Sequence, residues 1–375
     1  MVHICEVKTR KQKRAFASFP LKLYKGSPYY VPSLWMDESN VFNPKKNNSL
    51  KNCEIKGFLA YKDGKLVGRI AGVLHRQHQE MSGEKNVRFS RFDCINDLEV
   101  SRALFDAVKN YGKENGMEKM HGPWGFNDQD REGMLIEGFD RRATYATNYN
   151  YEYYPKLVED YGFETECTWE EYEFKAPAER DQRIHRIAKV IQEKYKLKDL
   201  CETKSVGYIC KNYGQKLFDC VNAASIVALK NYVPVEGEIV QNILDSFAIV
   251  VNRRYASVVV NEKDEVVGVG VVLSDITPAL IKNRGKLFPF GWISMLRCIK
   301  HPKKLEMAMI AVRPDYQKLG VNAMVIDRIL GNIIEDGIKT LESNPELEYN
   351  RAVQSQWKDF DTTLVKRRRA FIKEI

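Results

Sequence analysis

Several things are missing from this sequence. No stretch of about eighteen consecutive apolar residues occurs, which excludes a membrane-spanning helix of ordinary length. The 8 cysteines are scattered singly with no C-x-x-C pair, so neither a disulfide framework nor a zinc site is legible, and reduced thiols without a metal are expected. Met1 to Arg14 is basic but lacks an apolar core, so no signal peptide is expected and the cytoplasm is the expected compartment. Strong charge of one sign is missing too. The formal net charge of +9 is thin over 375 residues, and Lys366-Arg367-Arg368-Arg369 supplies a good share of it. That cluster reads first as a solvated face; nucleic acid, anionic lipid and cofactor phosphates are the ligands its charge would suit. Charge alone does not make this a nucleic-acid-binding chain.

What is present is organised around Leu305–Gly337. Leu305 to Val312 is almost unbroken apolar sequence, short enough for a buried strand, and Pro314 ends it. Ile326, Ile329, Leu330 and Ile333 follow at helical spacing, with Gly337 as a stop. Between strand and helix lies Asp315-Tyr316-Gln317-Lys318-Leu319-Gly320-Val321. A glycine-containing turn at a helix start points backbone amides outward, and the helix dipole adds roughly half a positive charge. Such a turn suits a phosphate or pyrophosphate.

At these residues the chain resembles the GNAT superfamily of acyl-CoA-dependent N-acyltransferases, whose signature is Gln or Arg, two residues, Gly, one residue, then Gly or Ala. Gln317 and Gly320 match; the last position is Asn322, with Ala323 one residue late. The implied fold is α/β (α+β): a mixed, mostly antiparallel sheet flanked by helices. The resemblance extends to a two-copy bacterial branch of that superfamily. It rests there on Gly26-x-Pro28-Tyr29-Tyr30-Val31-Pro32, Gly68-Arg69-Ile70, Gly122-Pro123 with Glu137-Gly138-Phe139, and Glu348-x-Asn350.

The order of elements repeats. A helix within 14–35 precedes a hairpin, Phe58–Tyr61 and Leu66–Ala71, whose Asp63-Gly64 turn is a strong signal. A strand Val87–Ile95, a helix Glu99–Tyr111, a strand Met117–Pro123 and a helix ending at Gly162-Phe163 follow. The polar stretch Lys175–Arg183 divides domains at 1–176 and 183–375. The second copy has helices over 184–194, Gly214–Lys230 and Gly237–Phe247, a strand near Leu197–Leu200, and a hairpin Ser257–Asn261 with Val266–Leu273. It goes on through a helical insert or lid at Ile276–Arg297, the Leu305 strand, a short strand Ile338–Glu342 and a helix from Glu348 to Trp357. In the first copy the strand meets its helix through Asn96-Asp97-Leu98-Glu99, where carboxylates would repel a pyrophosphate, so that cofactor site is expected to be degenerate. The Gly/aromatic segments His121–Asn127 and Glu132–Phe139 read equally as pocket lining or packed turns. The tyrosines of Asn148–Pro155 read equally as substrate contacts or core.

The resemblance implies that Ile310, Ala311 and Val312 grip the pantetheine arm, with Asn350 nearby. It places the pyrophosphate on the turn of Gln317, Lys318, Leu319, Gly320, Val321, Asn322 and Ala323. The donor it implies is acetyl-CoA by default or a longer acyl-CoA, used without a metal, with an amine as acceptor. Glu306 is the only acid in the apolar strand and stands eleven residues before Gln317, where histone-acetylating members keep their base. Either it is buried, with a raised pKa that suits a base, or it sits exposed at the rim. Glu342 is the second candidate base. The usual acid, a tyrosine seven residues after the asparagine, is here Trp357, which leaves Tyr349, water or unassisted thiolate departure. Three readings follow: an acyl-CoA-dependent N-acyltransferase; a Fem-like aminoacyl-tRNA-dependent transferase, disfavoured by the intact turn; or a non-catalytic CoA-binding protein. The apolar insert leaves room for a longer acyl chain, a lipid-like amine and peripheral lipid contact.

Overall fold

The structure, a computed structural model, describes residues 1–127, 130–228, 232–350, 354 and 360–375. In the first half, β1 (Val2–Glu6) and α1 (Arg10–Leu23) lead through α2 (Trp35–Ser39) into the hairpin β2 (Cys53–Lys62) and β3 (Lys65–His75). After α3 (Arg76–Ser82) come β4 (Asn86–Cys94), α4 (Leu98–Glu114), β5 (Lys119–Gly122), β6 (Met134–Glu137), α5 (Tyr154–Glu159) and β7 (Glu164–Lys175). The second half runs α6 (Gln182–Lys194), β8 (Lys198–Asp199), α7 (Val206–Ala228), α8 (Glu238–Val250), β9 (Ala256–Val260) and β10 (Val266–Ser274). It continues with α9 (Thr277–Asn283), α10 (Gly291–Lys300), β11 (Leu305–Val312), α11 (Val321–Glu335), β12 (Thr340–Glu342), β13 (Glu346–Leu347) and β14 (Thr362–Glu374).

Local chemistry accounts for most of these elements. Asp63 and Gly64 both take positive φ, 51° and 73°, which a tight β2–β3 turn requires. Thr9 and Gln12 form a reciprocal capping box on α1. Asp181 accepts from the amides of Arg183 and Ile184 to start α6.

The strands form one sheet in the order β1-β2-β3-β4-β5-β14-β7-β12-β11-β10-β9-β8, with β6 on β14 and β13 on β7. Its ladders are antiparallel except β4 with β5 and β11 with β12. The path is a pseudo-palindrome. Five strands of each half run inward, and the sixth place in each half is taken by a strand from the other: β14 lies against β5, and β7 lies against β12. The two exchanged strands also pair with each other, from Thr362 opposite Phe174 to Ile372 opposite Glu164. The division at 176–183 falls in the loop between β7 and α6, yet the sheet runs through it. The two copies interlock rather than sit side by side.

The strand β14 corrects the reading of the basic cluster as a solvated face. Alternate residues of a strand face opposite ways, so Lys366 and Arg368 point inward and are 1% and 0% exposed, while Arg367 and Arg369 point to the other side. Charge balance makes this tolerable. Glu171, also fully buried, pairs with both Lys366 and Arg368. Other differences are smaller. Helix α7 starts at Val206 rather than Gly214, and its expected end at Lys230 lies outside the described residues. Glu346–Leu347 pairs with β7 as a strand, and most of the helix expected to reach Trp357 lies outside the described residues. The tyrosines of Asn148–Pro155 are largely core, with Tyr154 fully buried and Tyr149, Tyr151 and Tyr24 in ring contact.

Candidate functional site

The site begins where two parallel strands part. β11 and β12 are paired only at Leu305 with Leu341 and Glu306 with Glu342. Beyond that point β11 continues to Val312, while the other strand's chain turns away, Ser343 donating its amide to Tyr172 O at 2.8 Å. Opposite, β10 breaks register between Val271 and Val272, beside Ala308. The parted edge is bridged by Asn344, whose Nδ2 donates to Ala308 O at 2.8 Å. A cavity of ≈ 330 Å³ fills the gap. Met307 to Ala311 line it from β11, and Val325, Ile329 and Ile333 line it from α11. Trp124 and Trp169 come from the first half, and Asn350 lines it too. These walls are mostly apolar, and they include the Ile310 and Ala311 named from sequence.

At the far end of β11 the chain makes the glycine turn. Lys318 and Gly320 take left-handed φ of 66° and 90°, and Gly320 is the residue from which α11 starts. The first amides of any helix have no carbonyl beneath them, so those of Val321 and Asn322 face outward with the dipole behind them. Ala323 N–H is turned back onto Gly320 O at 2.9 Å, and Leu319 N–H onto Tyr316 O at 3.3 Å. Gln317 ties the turn to its strand instead of reaching outward: its Nε2 donates to Val312 O at 3.0 Å. That bond occupies the Val312 carbonyl expected to be free for a pantetheine arm. Helix α6 roofs the turn, with Ile191 Cγ1 3.1 Å from where a Gly320 Cβ would stand. A polar cluster pins the two helices together, Asp327 of α11 pairing with Arg180 at 3.0 Å and hydrogen-bonding with His185 Nδ1 of α6 at 3.0 Å.

Glu306 sits at the closed end of the splay and is 5% exposed, which decides between its two sequence readings in favour of burial. Burial, and then the nearby Asp275 and Glu342 carboxylates, push its pKa up to about 8. Two groups oppose them: a backbone donor, Tyr145 N–H, 2.9 Å from Glu306 Oε2, and then the Lys304 charge. Tyr145 belongs to the first half. Arg131 holds its loop there, donating to Tyr145 O at 2.8 and 3.1 Å and to Val31 O at 3.2 Å. The Tyr145 hydroxyl is itself raised to about 12, first by burial and then by Asp37.

Glu342 is a different kind of carboxylate. Burial raises its pKa, but Lys366 and Lys304 outweigh burial and hold it below the usual value. Both lysines are ion-paired to it. The chain of charges runs Arg368–Glu171–Lys366–Glu342–Lys304–Glu173, three cations against three anions. A fourth anion beside this balanced set is what burial and Coulomb repulsion resist, and Glu306 is that neighbour. The structure thus sets the first candidate base apart from the second: burial and neighbouring carboxylates raise the pKa of Glu306, while two lysines lower that of Glu342.

Tyr349 is 52% exposed, and burial of its ring followed by the Cys167 and Glu166 charges raises its pKa. It is not among the residues that wall the cavity, whereas its neighbour Asn350 is. Sequence reasoning missed Tyr145, Arg131 and Asn344. Each acts across 14 to 161 residues of chain, and none falls within a local pattern that marks it.

No protein-family model matches the chain. It is 24% identical over 390 residues to protein YghO of Escherichia coli K12, with 96% of this chain and 93% of that protein aligned. It is 23% identical over 326 residues to a bacterial ceramide synthase of Caulobacter vibrioides, covering 84% of this chain and 81% of that one. Among solved structures, a tandem GNAT protein from the clavulanic acid biosynthesis pathway superposes with TM-score 0.57 at 9% identity, covering 100% of this chain and 98% of that one. A GCN5-related N-acetyltransferase from Anabaena variabilis gives 0.52 at 8% identity, covering 99% and 73%. The parted parallel strands, the glycine turn at a helix start and these superpositions agree: the chain has the GNAT fold, in tandem.

Proposed function

We propose that this protein transfers a hydrophobic acyl group from an acyl-CoA to an amine, with its active site in the second half. The observation that carries this reading is the mostly apolar ≈ 330 Å³ cavity between β11 and β12, whose wall on β11 starts at Met307, next in sequence to the buried Glu306 of raised pKa. A thioester is long and thin, and its fit to the chain's own residues can be followed along the strand. The open edge of β11 from Met307 to Ala311 lies along the cavity, and the outward amides of Val321 and Asn322 suit a pyrophosphate. When bound, acyl-CoA supplies the activated carbonyl. Glu306, once deprotonated, takes the proton from the attacking amine, and a value of about 8 keeps that exchange matched to an amine near neutrality. Tyr145 N–H orients the carboxylate, and Arg131 orients Tyr145. Glu342 stays charged and holds Lys304 and Lys366 in place. The acid for the departing thiolate is dispensable, because a free thiol's pKa of about 8.5 lets it leave unaided.

A cavity walled by Val325, Ile329, Ile333, Met307 and Met309 favours a long acyl chain over an acetyl group. A relative that bears the name ceramide synthase points the same way and adds a long-chain amine as the acceptor class. The test is release of free CoA from acetyl-, octanoyl- and palmitoyl-CoA with short and long-chain amines. Turnover that rises with acyl length and drops about 10²–10⁴-fold in Glu306→Gln is expected. Turnover of acetyl-CoA alone would remove the long-chain part, and thermal melts unmoved by all three thioesters would remove the whole reading.

A further inference from the structure

We propose that the α9–α10 hairpin is a docking surface for an anionic phospholipid membrane. The proposal uses no acyl donor, so it can fail while the acyl-transfer reading stands.

A surface helix ordinarily turns one apolar stripe inward and polar residues outward. α10 does not. Gly291, Met295 and Ile299 form its buried stripe, at a spacing of four. The flank beside that stripe carries Trp292, Ile293 and Leu296, 43%, 51% and 38% exposed. The loop before it adds Phe288 and Phe290, 75% and 73% exposed. Five large apolar side chains therefore stand in water on one hairpin. Trp292 is held at the foot of this group, its Nε1 donating to Pro289 O at 3.0 Å.

Charge says what covers them. From Ile276 to Leu305 the chain has no acidic residue, and the exposed cations Lys282, Arg284, Lys286, Arg297, Lys300 and Lys303 surround the apolar group. Among the described residues none of these six is in an ion pair. Lys286 also closes a groove of ≈ 530 Å³ whose other cations are Arg10, Lys13 and Arg14 of α1, and no acid lines it. The hairpin is joined rigidly to that neighbourhood, Trp35 N–H donating to Gly285 O at 2.8 Å. Cations around an aromatic and aliphatic tip match an interface of anionic headgroups over hydrocarbon. A nucleic acid would answer the cations and leave Ile293 and Leu296 in water. A long-chain acyl-CoA and a long-chain amine both partition into such a surface, so docking there would bring the site to its reactants.

The experiment is flotation of the whole protein with vesicles of phosphatidylcholine alone and of phosphatidylcholine with phosphatidylglycerol. Binding to the anionic vesicles, weakened by salt and at least about tenfold stronger than to the neutral ones, is expected. Phe288→Ser with Phe290→Ser, and separately Lys282→Glu with Lys286→Glu, should each lower it at least about tenfold with an unchanged melting temperature. In the unaltered protein, brominated lipid should quench the fluorescence that Trp292→Phe removes. Absent flotation with anionic vesicles overturns the proposal, as does flotation indifferent to both double variants. A dimer that the phenylalanine variant dissociates, without vesicle binding, would assign the surface to a second copy instead.

Discussion

The two halves build the same corner and finish it differently. In the first, β4 leads into α4 through Asp97, whose carboxylate accepts from the amides of Glu99 and Val100 and pairs with Lys62 at 2.6 Å. The helix start is satisfied by its own chain, and an incoming anion would meet a carboxylate. In the second, Gly320 stands at that place with no side chain, and the amides of Val321 and Asn322 stay open. The strand edges differ in the same sense. Tyr153 OH donates to Cys94 O at 2.7 Å and Cys94 N–H donates to Tyr154 OH at 3.1 Å, so tyrosine hydroxyls occupy the edge of β4. The corresponding edge of β11 borders a cavity. One fold thus closes its loose backbone groups with side chains in one half and leaves them open in the other, and the proposed ligand site rests on that difference.

The largest effect should come from removing what the halves share. Deleting 362–375 takes the sixth strand from the first half and leaves β7, the sixth strand of the second, without its long antiparallel partner. It should abolish cooperative unfolding of the entire chain, followed by circular dichroism on heating. A residual transition matching an isolated 1–176 fragment would show the halves to be separable after all.

Next is Glu306→Gln, with the activity loss given above and a second readout in pH. In the unaltered protein Glu306 holds its proton up to about 8, against an ordinary value near 4.5 when unfolded. The folded state binds the extra proton in that window, so this residue's contribution to stability falls as pH rises from about 4.5 to 8. CoA release should climb over the upper part of the same range as the base is freed. Glu306→Gln should flatten the stability slope and melt no lower than its parent at pH 8. A melting temperature lowered at that pH would deny that the carboxylate is held unfavourably.

Lys366→Ala leaves Glu171 and Glu342 buried with one cation fewer and should cost about 3–5 kcal/mol in denaturant melts. Lys366→Met with Glu171→Gln should recover part of that, since the unpaired charge, not the missing lysine, is the expense.

The smallest effects sharpen the comparison of the two corners. Asp97→Ala should cost about 1 kcal/mol, the value of an N-cap, and create no CoA binding in calorimetry. Gly320→Ala forces a Cβ into φ +90° and toward Ile191. It should cost about 1–2 kcal/mol and weaken CoA binding as well.

These contrasts also explain which parts were legible from sequence. Asp63-Gly64, the apolar run Leu305–Val312 and the Gly320 turn are written in neighbouring residues, and the hairpin, the parted strand and the helix start all stood where they pointed. Asp97 was legible as an obstacle because it lies within one turn of its helix. The burial of Lys366 and Arg368 was not legible. Four consecutive cations resemble a solvated patch until Glu171, 195 and 197 residues away, is known to lie beneath them. Tyr145 was hidden for the same reason: its contact with Glu306 spans 161 residues and uses a backbone amide that any residue type could supply.

The exchange of β7 and β14 bears on how this protein is made. Glu137 on β6 and Arg367 on β14 pair across 230 residues. At ~5–20 residues per second of synthesis, the edges of β5 and β7 wait roughly 10–50 s for the strand that lies between them. An uncovered edge is a template for other chains, so the nascent first half passes through an interval in which a holding chaperone, or slow translation kept away from that window, decides its yield. For the same reason the duplicated halves are no longer exchangeable parts. A gene cut at the point where the copies meet would encode two pieces, each missing a strand that only the other possesses.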